Sequence, residues 1–167
     1  RTDLGKEIRK AFVPRDENHT LLAVDYSQIE LRIVASVAED AGMMEAFHAG
    51  IDIHTATAAK VFGVDIANVT KEQRYKAKSV NFGLIYGQSA FGLSQNLGIK
   101  RGEAAELIEA YFAQFDGVKK YMDDSIKFCR ENGFVKTIMG RKRFIPDINS
   151  SNQTVVGFAE RNAINAP

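Results

Sequence analysis

The sequence predicts a mainly helical α+β fold with one isolated strand and one β-hairpin. Over most of the chain, apolar residues recur at spacings of three and four, which is typical of amphipathic helices. Only three prolines occur in 167 residues, so long helices are unobstructed. Side chains that favour strands are concentrated in two short stretches, residues 21–24 and residues 134–145.

The first predicted elements are a strand and the helix that follows it. Residues 21–24, with the sequence LLAV, form an apolar run after a polar turn, which is typical of a buried strand. Apolar residues spaced by four then predict a helix over residues 29–38, and the alanine-rich residues 52–61 predict another. Because a lone strand needs partners, we expect it to pair with strands outside this sequence.

A capping box marks the start of the longest predicted helix. Thr70 is followed three residues later by Gln73, an arrangement in which each side chain satisfies the other residue's backbone N–H group. The helix should therefore begin near Lys71 and run past Tyr86.

The last part of the chain should contain two amphipathic helices, a hairpin and a final helix. Residues 108–115 and residues 118–129 each carry apolar side chains on one helical face, and Gly133 is positioned to end the second helix. Residues 134–145 predict the hairpin. The final helix should start near Gln153.

Composition excludes several classes of protein. The chain has 22 Lys and Arg against 21 Asp and Glu, a net charge of +1, which excludes a uniformly basic protein but not a local basic groove. With one cysteine there is no disulfide framework and no thiolate zinc site. No apolar run approaches the roughly 20 residues of a membrane span, so we expect no membrane partner and a cytoplasmic location.

Two cations and two aromatic residues share one face of the longest helix. Arg74, Lys78, Phe82 and Tyr86 are spaced by four, which aligns them along a slowly drifting helical stripe. Cations followed by rings suit a ligand with a polyanionic end and a flat end. The alternative is a solvated basic first turn followed by aromatic residues of the core. Glycines within the same stretch, at positions 83 and 87, each cost a helix about 1 kcal/mol and indicate close backbone approach to a partner.

A carboxylate follows the predicted strand directly. Asp25 stands where strand-end acids often bind Mg²⁺, which prefers one or two carboxylates together with phosphate oxygens and water. The alternative is a turn-forming or helix-capping aspartate.

Four segments together resemble DNA polymerase family A. The sequence DYSQIELR at residues 25–32 resembles the family's first polymerase motif, and residues 74–87 match its second motif, R-x₃-K-x₂-N-F-G-x₂-Y-G. The sequence DIHT at residues 52–55 and the sequence RNAINAP at residues 161–167 also match, in the family's order. The resemblance covers essentially the whole chain.

The resemblance implies a domain organisation. Residues 1–38 would be part of the palm with the first motif, residues 39–133 the fingers helices, and residues 134–167 a hairpin with the start of the returning palm segment. The isolated strand would then belong to the palm. Because the chain begins without methionine and stops within a helical pattern, we expect it to be a fragment.

The resemblance also implies a template-directed DNA polymerase that uses two Mg²⁺ ions for nucleotidyl transfer. Asp25 would bind both metal ions through its carboxylate, assisted by the backbone carbonyl of Tyr26. The second essential aspartate of the family would lie beyond residue 167, so the isolated chain is expected to be inactive. The expected partners are primer–template DNA, deoxynucleoside triphosphates and the remainder of the polymerase chain.

The resemblance assigns the triphosphate to cationic residues. Arg74 and Lys78 would hold the phosphates, joined by His54. Without the resemblance, His54 would be interpreted as a histidine on a helix surface.

Further roles concern the sugar, the base and the DNA. Phe82 would pack on the sugar and base of the nucleotide, and Tyr86 would lie near the templating base. Glu30 would exclude a 2′-hydroxyl, with Gln28 a weaker candidate for the same pocket. On the last helix, Arg161 and Asn165 would reach the minor groove of the nascent duplex. Contacts in that groove check the shape of a base pair without reading its sequence.

A DNA-binding alternative arises from residues 92–107. The stretch mimics a helix-turn-helix, with Gly98 at the turn and apolar flanks. The function would then be that of a sequence-specific DNA-binding protein. This alternative leaves the stripe of cations and rings unexplained.

Overall fold

The computed structural model describes residues 3–167, and this part of the chain is mainly helical. It contains nine α-helices and one two-stranded antiparallel sheet. The helices are α1 (Asp3–Arg9), α2 (Ile29–Val37), α3 (Ala41–His48), α4 (Ile53–Phe62), α5 (Lys71–Ile85), α6 (Ala90–Leu97), α7 (Arg101–Gln114), α8 (Asp116–Asn132) and α9 (Gln153–Asn165). The strands are β1 (Phe134–Lys136) and β2 (Lys142–Phe144), with Val135 paired to Arg143. The predicted mainly helical fold with a hairpin is confirmed.

The start of α5 follows the predicted capping box. The Thr70 hydroxyl accepts from the Gln73 backbone N–H at 3.2 Å, and the Gln73 side chain accepts from the Thr70 backbone N–H at 2.9 Å. Two of the N–H groups that a helix N-terminus leaves without partners are thereby satisfied.

The end of α5 differs from the prediction. The helix ends at Ile85 and does not continue past Tyr86, because Gly87 adopts a left-handed backbone with φ of 69°. The Gly87 N–H donates to the Leu84 carbonyl, and the N–H of the next residue donates to the Gly83 carbonyl, both at 2.8 Å. This pair of bonds is the Schellman arrangement that ends many helices. Gly87 therefore terminates the helix and is not one of its interior residues.

The strand predicted over residues 21–24 is wrong for the described structure. These residues form no strand, and their side chains are exposed, with Leu22 at 85% and Val24 at 83%. A strand requires a neighbour for its backbone N–H and C=O groups. Within residues 3–167 the only sheet is the β1–β2 hairpin, so no neighbour is available.

Two hydrophobic clusters hold the helices together. The larger joins α2 through the start of α8 around fully buried side chains such as Leu31, Met43 and Tyr111. The smaller joins the end of α8, the hairpin and α9 around Cys129 and Ile148. Within residues 3–167, none of the helices is both long and apolar enough to cross a bilayer.

Candidate functional site

A cleft of about 360 Å³ lies between the stripe on α5 and the segment that leads into α2. The start of α4 contributes its third wall. The nine residues that line the cleft include most of the residues predicted to form a site: Asp25, Tyr26, Gln28, Ile29, Glu30, His54, Arg74, Lys78 and Phe82.

The stripe on α5 faces this cleft as the spacing predicted. Arg74, Lys78 and Phe82 line it directly. Tyr86 lies one turn further along the helix. A hydrogen-bonding interaction with the carboxylate of Glu30, on the opposite wall, together with partial burial, raises the pKa of Tyr86 to about 12. Tyr86 is 46% exposed, whereas Phe82 is half-buried and packs against the larger hydrophobic cluster. The alternative of aromatic core residues therefore holds in part for Phe82 and not for Tyr86.

Arg74 is held by a carboxylate that sequence analysis did not single out. The Nε and Nη2 groups of Arg74 donate to the two oxygens of Asp52, at 3.0 and 2.9 Å. Asp52 is also the N-cap of α4, where its Oδ1 accepts from both the backbone N–H and the hydroxyl of Thr55, each at 2.9 Å. Its Oδ2 further accepts from Gln28 Nε2 at 3.0 Å.

These hydrogen bonds decide the charge of Asp52. Partial burial alone would raise the pKa of this carboxyl. The hydrogen bonds from Arg74 and Thr55, together with the positive charge of Arg74, outweigh burial and hold the pKa of Asp52 well below its usual range. Asp52 is therefore a charged anchor at neutral pH.

His54 is buried, with 3% of its surface exposed, so its interpretation as a surface histidine is wrong. Its Nδ1 lies 3.0 Å from the side-chain nitrogen of Asn81, whose oxygen accepts from the Thr57 hydroxyl at 3.1 Å. Because the Asn81 nitrogen can only donate, Nδ1 must accept, and the ring proton is assigned to Nε2. The ring also packs against Phe82, with centroids 5.6 Å apart.

The charge of His54 follows from its surroundings. Burial is the largest effect and lowers the pKa of His54. The negative charge of Asp52 opposes it, and the positive charges of Arg74 and Lys78 lower the pKa further. The imidazole is therefore neutral at pH 7, and Nε2–H is a hydrogen-bond donor of the cleft wall.

Asp25 and Tyr26 line the cleft from an exposed segment. Their carboxylate and carbonyl oxygens are donor types that Mg²⁺ prefers. Across the described part of the chain, residues 3–167, no group of three or more His, Cys, Asp or Glu side chains lies together as a metal site. Asp25 and Tyr26 thus offer the cleft two oxygen donors, a number that a protein often supplies to Mg²⁺ when phosphate oxygens and water complete the coordination.

A larger cavity, of about 710 Å³, lies along the C-terminal part of α5, and Lys78 and Phe82 line both this cavity and the cleft. Phe82, Tyr86, Gly87 and Arg161 are among the residues that line it. Arg161 packs so closely over the helix end that a Cβ on Gly87 would lie 2.7 Å from its Cγ. Asn165 donates to the Arg161 carbonyl at 2.8 Å and lines a small cavity of about 190 Å³ that Tyr86 also lines. Both predicted DNA-contacting residues of α9 thus lie beside the stripe.

The whole chain, residues 1–167, matches the family model described as DNA polymerase family A. The chain belongs to this family. DNA polymerase I of Caldicellulosiruptor bescii is 54% identical over 165 residues, a match that covers 99% of this chain and 19% of that protein. DNA polymerase I of Geobacillus stearothermophilus is 52% identical over 167 residues, covering 100% of this chain and 19% of that protein.

A solved family A structure has the same fold. The polymerase domain of Pol1 from M. smegmatis, in complex with DNA primer-template and dNTP, superposes with a TM-score of 0.87 at 44% sequence identity. The match covers 100% of this chain and 30% of that one. The chain is thus similar to bacterial DNA polymerase I throughout and spans about a fifth of the length of the curated relatives it matches.

Three residues that shape the cleft of this family A chain were missed by sequence analysis. Asp52 could have been found, because an aspartate directly before an alanine-rich helix is a typical N-cap. Asn81 lay inside a recognised motif but carried no assigned role. Thr57 carries no sequence signal, since its importance depends on a helix 24 residues away.

Proposed function

We propose that this chain forms the nucleotide-binding part of a template-directed DNA polymerase. The observation that carries the proposal is a shared cleft. Arg74 and Lys78 line it from α5, His54 lines it from α4, and Asp25 lines it from the segment before α2. Family membership and the solved relative that binds primer-template and dNTP support the same substrate.

The cations of the cleft would bind the triphosphate of a deoxynucleotide. Arg74 offers a planar fork and Lys78 a compact charge, both suited to phosphate oxygens. The neutral His54 would add one hydrogen bond from Nε2–H. Phe82, which is half-buried and packs against His54, would present its ring to the sugar and base.

Glu30 and Gln28 would limit which sugars enter. Glu30 lines the same cleft as the Phe82 ring, and its carboxylate interacts with Tyr86 one turn further along α5. A ribose hydroxyl pressed against this pair would lose water without gaining a matched partner, which costs roughly 1–3 kcal/mol.

Asp25 and the Tyr26 carbonyl would hold Mg²⁺ together with the phosphate oxygens. When bound, Mg²⁺ neutralises and orients the reacting phosphate oxygens. The use of two ions, and the inactivity of this chain without a second aspartate from another segment, stay predictions.

The domain boundaries are proposed in the same way. Residues 39–133 would be fingers, and residues 1–38 with residues 134–167 would belong to the palm. The two hydrophobic clusters support a division near residue 133, because the second begins at Cys129 and includes the hairpin and α9. Arg161 and Asn165 would then contact the primer–template duplex from the palm side, near Tyr86.

The helix-turn-helix alternative is not favoured. Helices α6 and α7 do meet at Gly98, which adopts a left-handed backbone with φ of 66°. Helix α7, however, exposes Glu103, Glu106 and Glu109 against only one exposed cation, Arg101. An acidic recognition helix would repel DNA phosphates.

Nucleotide affinity tests the proposal. In the full-length polymerase carrying this sequence, Lys78→Ala should weaken the Kd for a deoxynucleotide about tenfold or more, because a hydrogen bond to a charged group is worth roughly 1.5–3 kcal/mol. Lys76→Ala is the matched control, since Lys76 is on the same helix but pairs with Glu72 at 3.2 Å, away from the cleft. Equal losses for the two variants, measured on a primer–template complex, would refute the proposed binding role of Lys78.

A further inference from the structure

We propose that Asp52 is a positioning residue that aims Arg74 into the cleft. The inference rests on the proposed function, because it concerns how the triphosphate site is built. Arg74 lines the cleft, whereas Asp52 is not among the residues that line it. Asp52 therefore does not line the space a bound anion would occupy, and we infer that it acts mainly through the arginine it holds.

The contact fixes the guanidinium plane. One edge of Arg74, its Nε and Nη2 groups, is bound by the two carboxylate oxygens at 3.0 and 2.9 Å. Such a two-point contact sets both the distance and the orientation of the planar group. The remaining N–H groups, including both of those on Nη1, then point in a direction set by Asp52.

Asp52 can serve this role because its own position is fixed independently. The backbone N–H and hydroxyl of Thr55 bind it at the start of α4, each at 2.9 Å. The hydrogen bonds of the helix cap therefore hold the Asp52 carboxylate in place. That carboxylate in turn holds Arg74, which lies 22 residues later in the chain. An unanchored arginine would have to lose its side-chain freedom when an anion binds.

The same carboxylate connects the opposite wall of the cleft. Its Oδ2 accepts from Gln28 Nε2 at 3.0 Å and from Arg74 Nη2 at 2.9 Å. Gln28 has a left-handed backbone with φ of 55°, a conformation that non-glycine residues adopt at a cost in free energy. The hydrogen bond from its side chain to Asp52 helps to hold the residue in this conformation. Asp52 thus joins the segment that contains Asp25 to the phosphate-facing wall.

A double-mutant cycle with inorganic tripolyphosphate tests the proposal on the full-length polymerase. Asp52→Asn and Asp52→Ser both keep an N-cap residue, and each should weaken tripolyphosphate binding about two- to fivefold, the range of an ion pair at a partly exposed site. In the Arg74→Ala background, Asp52→Asn should have no further effect, since the residue it positions is gone. Asp65→Asn, which removes an exposed carboxylate that makes no cap hydrogen bond, is the charge-matched control and should leave the affinity unchanged.

The outcomes separate this proposal from the function on which it rests. An equal loss on Asp52→Asn with and without Arg74 would show that Asp52 acts independently of Arg74, and it would overturn the proposal. Tighter binding would identify Asp52 as a competing anion and would also overturn it. If Arg74→Ala and Lys78→Ala leave tripolyphosphate binding unchanged, the proposed function itself fails.

Discussion

Replacing Asn81 by alanine should destabilise the folded chain strongly, because Asn81 connects two buried polar groups. Its side-chain oxygen accepts from the Thr57 hydroxyl at 3.1 Å, and its nitrogen faces Nδ1 of His54 at 3.0 Å. All three residues are nearly fully buried, with exposed fractions of 0% for Asn81 and Thr57 and 3% for His54. Asn81→Ala removes both partners at once.

The expected loss follows from the two groups left without a partner. Each buried polar group deprived of its hydrogen bond costs about 1–3 kcal/mol. For Thr57 and His54 together, Asn81→Ala should lower the free energy of unfolding by about 2–6 kcal/mol. That is a large share of the roughly 5–15 kcal/mol that stabilises a typical domain.

Urea unfolding followed by circular dichroism would measure the loss. Asn132→Ala is the matched control, because Asn132 is an exposed helical asparagine whose side chain bonds only within its own helix, and it should change stability by less than about 0.5 kcal/mol. The double variant Thr57→Val with Asn81→Ala should cost less than the sum of the two single variants. A loss below about 1 kcal/mol for Asn81→Ala would refute the reasoning, since it would mean that the buried groups find other partners.

Two further predictions concern titratable groups of the cleft. The pKa of His54 is lowered from 6.5, so the unfolded chain takes up the proton first, and the free energy of unfolding should rise with pH between the folded and unfolded pKa values. His54→Phe should flatten that rise, measured by urea unfolding near pH 6. The lowered pKa of Asp52 affects stability only below about pH 4, so it does not interfere. An unchanged slope of the unfolding free energy against pH would contradict a lowered pKa for His54. Glu30→Gln should bring the pKa of Tyr86 down from about 12 toward 10.0. Ultraviolet absorbance would measure this pKa, with Tyr86→Phe as the blank. A pKa that stays at about 12 would exclude the hydrogen-bonding interaction with Glu30 as its cause.

The helix ends and the helical stripe could be predicted from the sequence, because neighbouring residues determine them. The capping box of Thr70 and Gln73 located the start of α5, and Gly133 ends α8 with φ of 75°, as predicted. Spacing by four also aligned Arg74, Lys78 and Phe82 correctly, since a helix fixes which residues share a face.

Strand pairing and the burial of polar side chains could not be predicted in the same way, because they depend on residues distant in the sequence. The run at residues 21–24 has the composition of a strand, but a strand forms only when another pairs with it. Gly87 looked like an interior glycine, because the left-handed conformation that ends a helix cannot be told from sequence spacing alone. Burial of His54 could not be predicted, since its hydrogen-bond partner Asn81 lies 27 residues away.

The two sides of the cleft differ in how firmly their side chains are held in place, because an exposed segment precedes Asp25. Arg74 and His54 are fixed by hydrogen bonds to residues of the helical core. Asp25 instead follows exposed residues that pair with no strand among residues 3–167. The proposed phosphate partners are therefore held in place within the helical part of the cleft, whereas the proposed metal-binding acid lies on a segment that no sheet supports. Under the proposed function, the affinity for the phosphate chain and the position of the metal would depend on different parts of the fold.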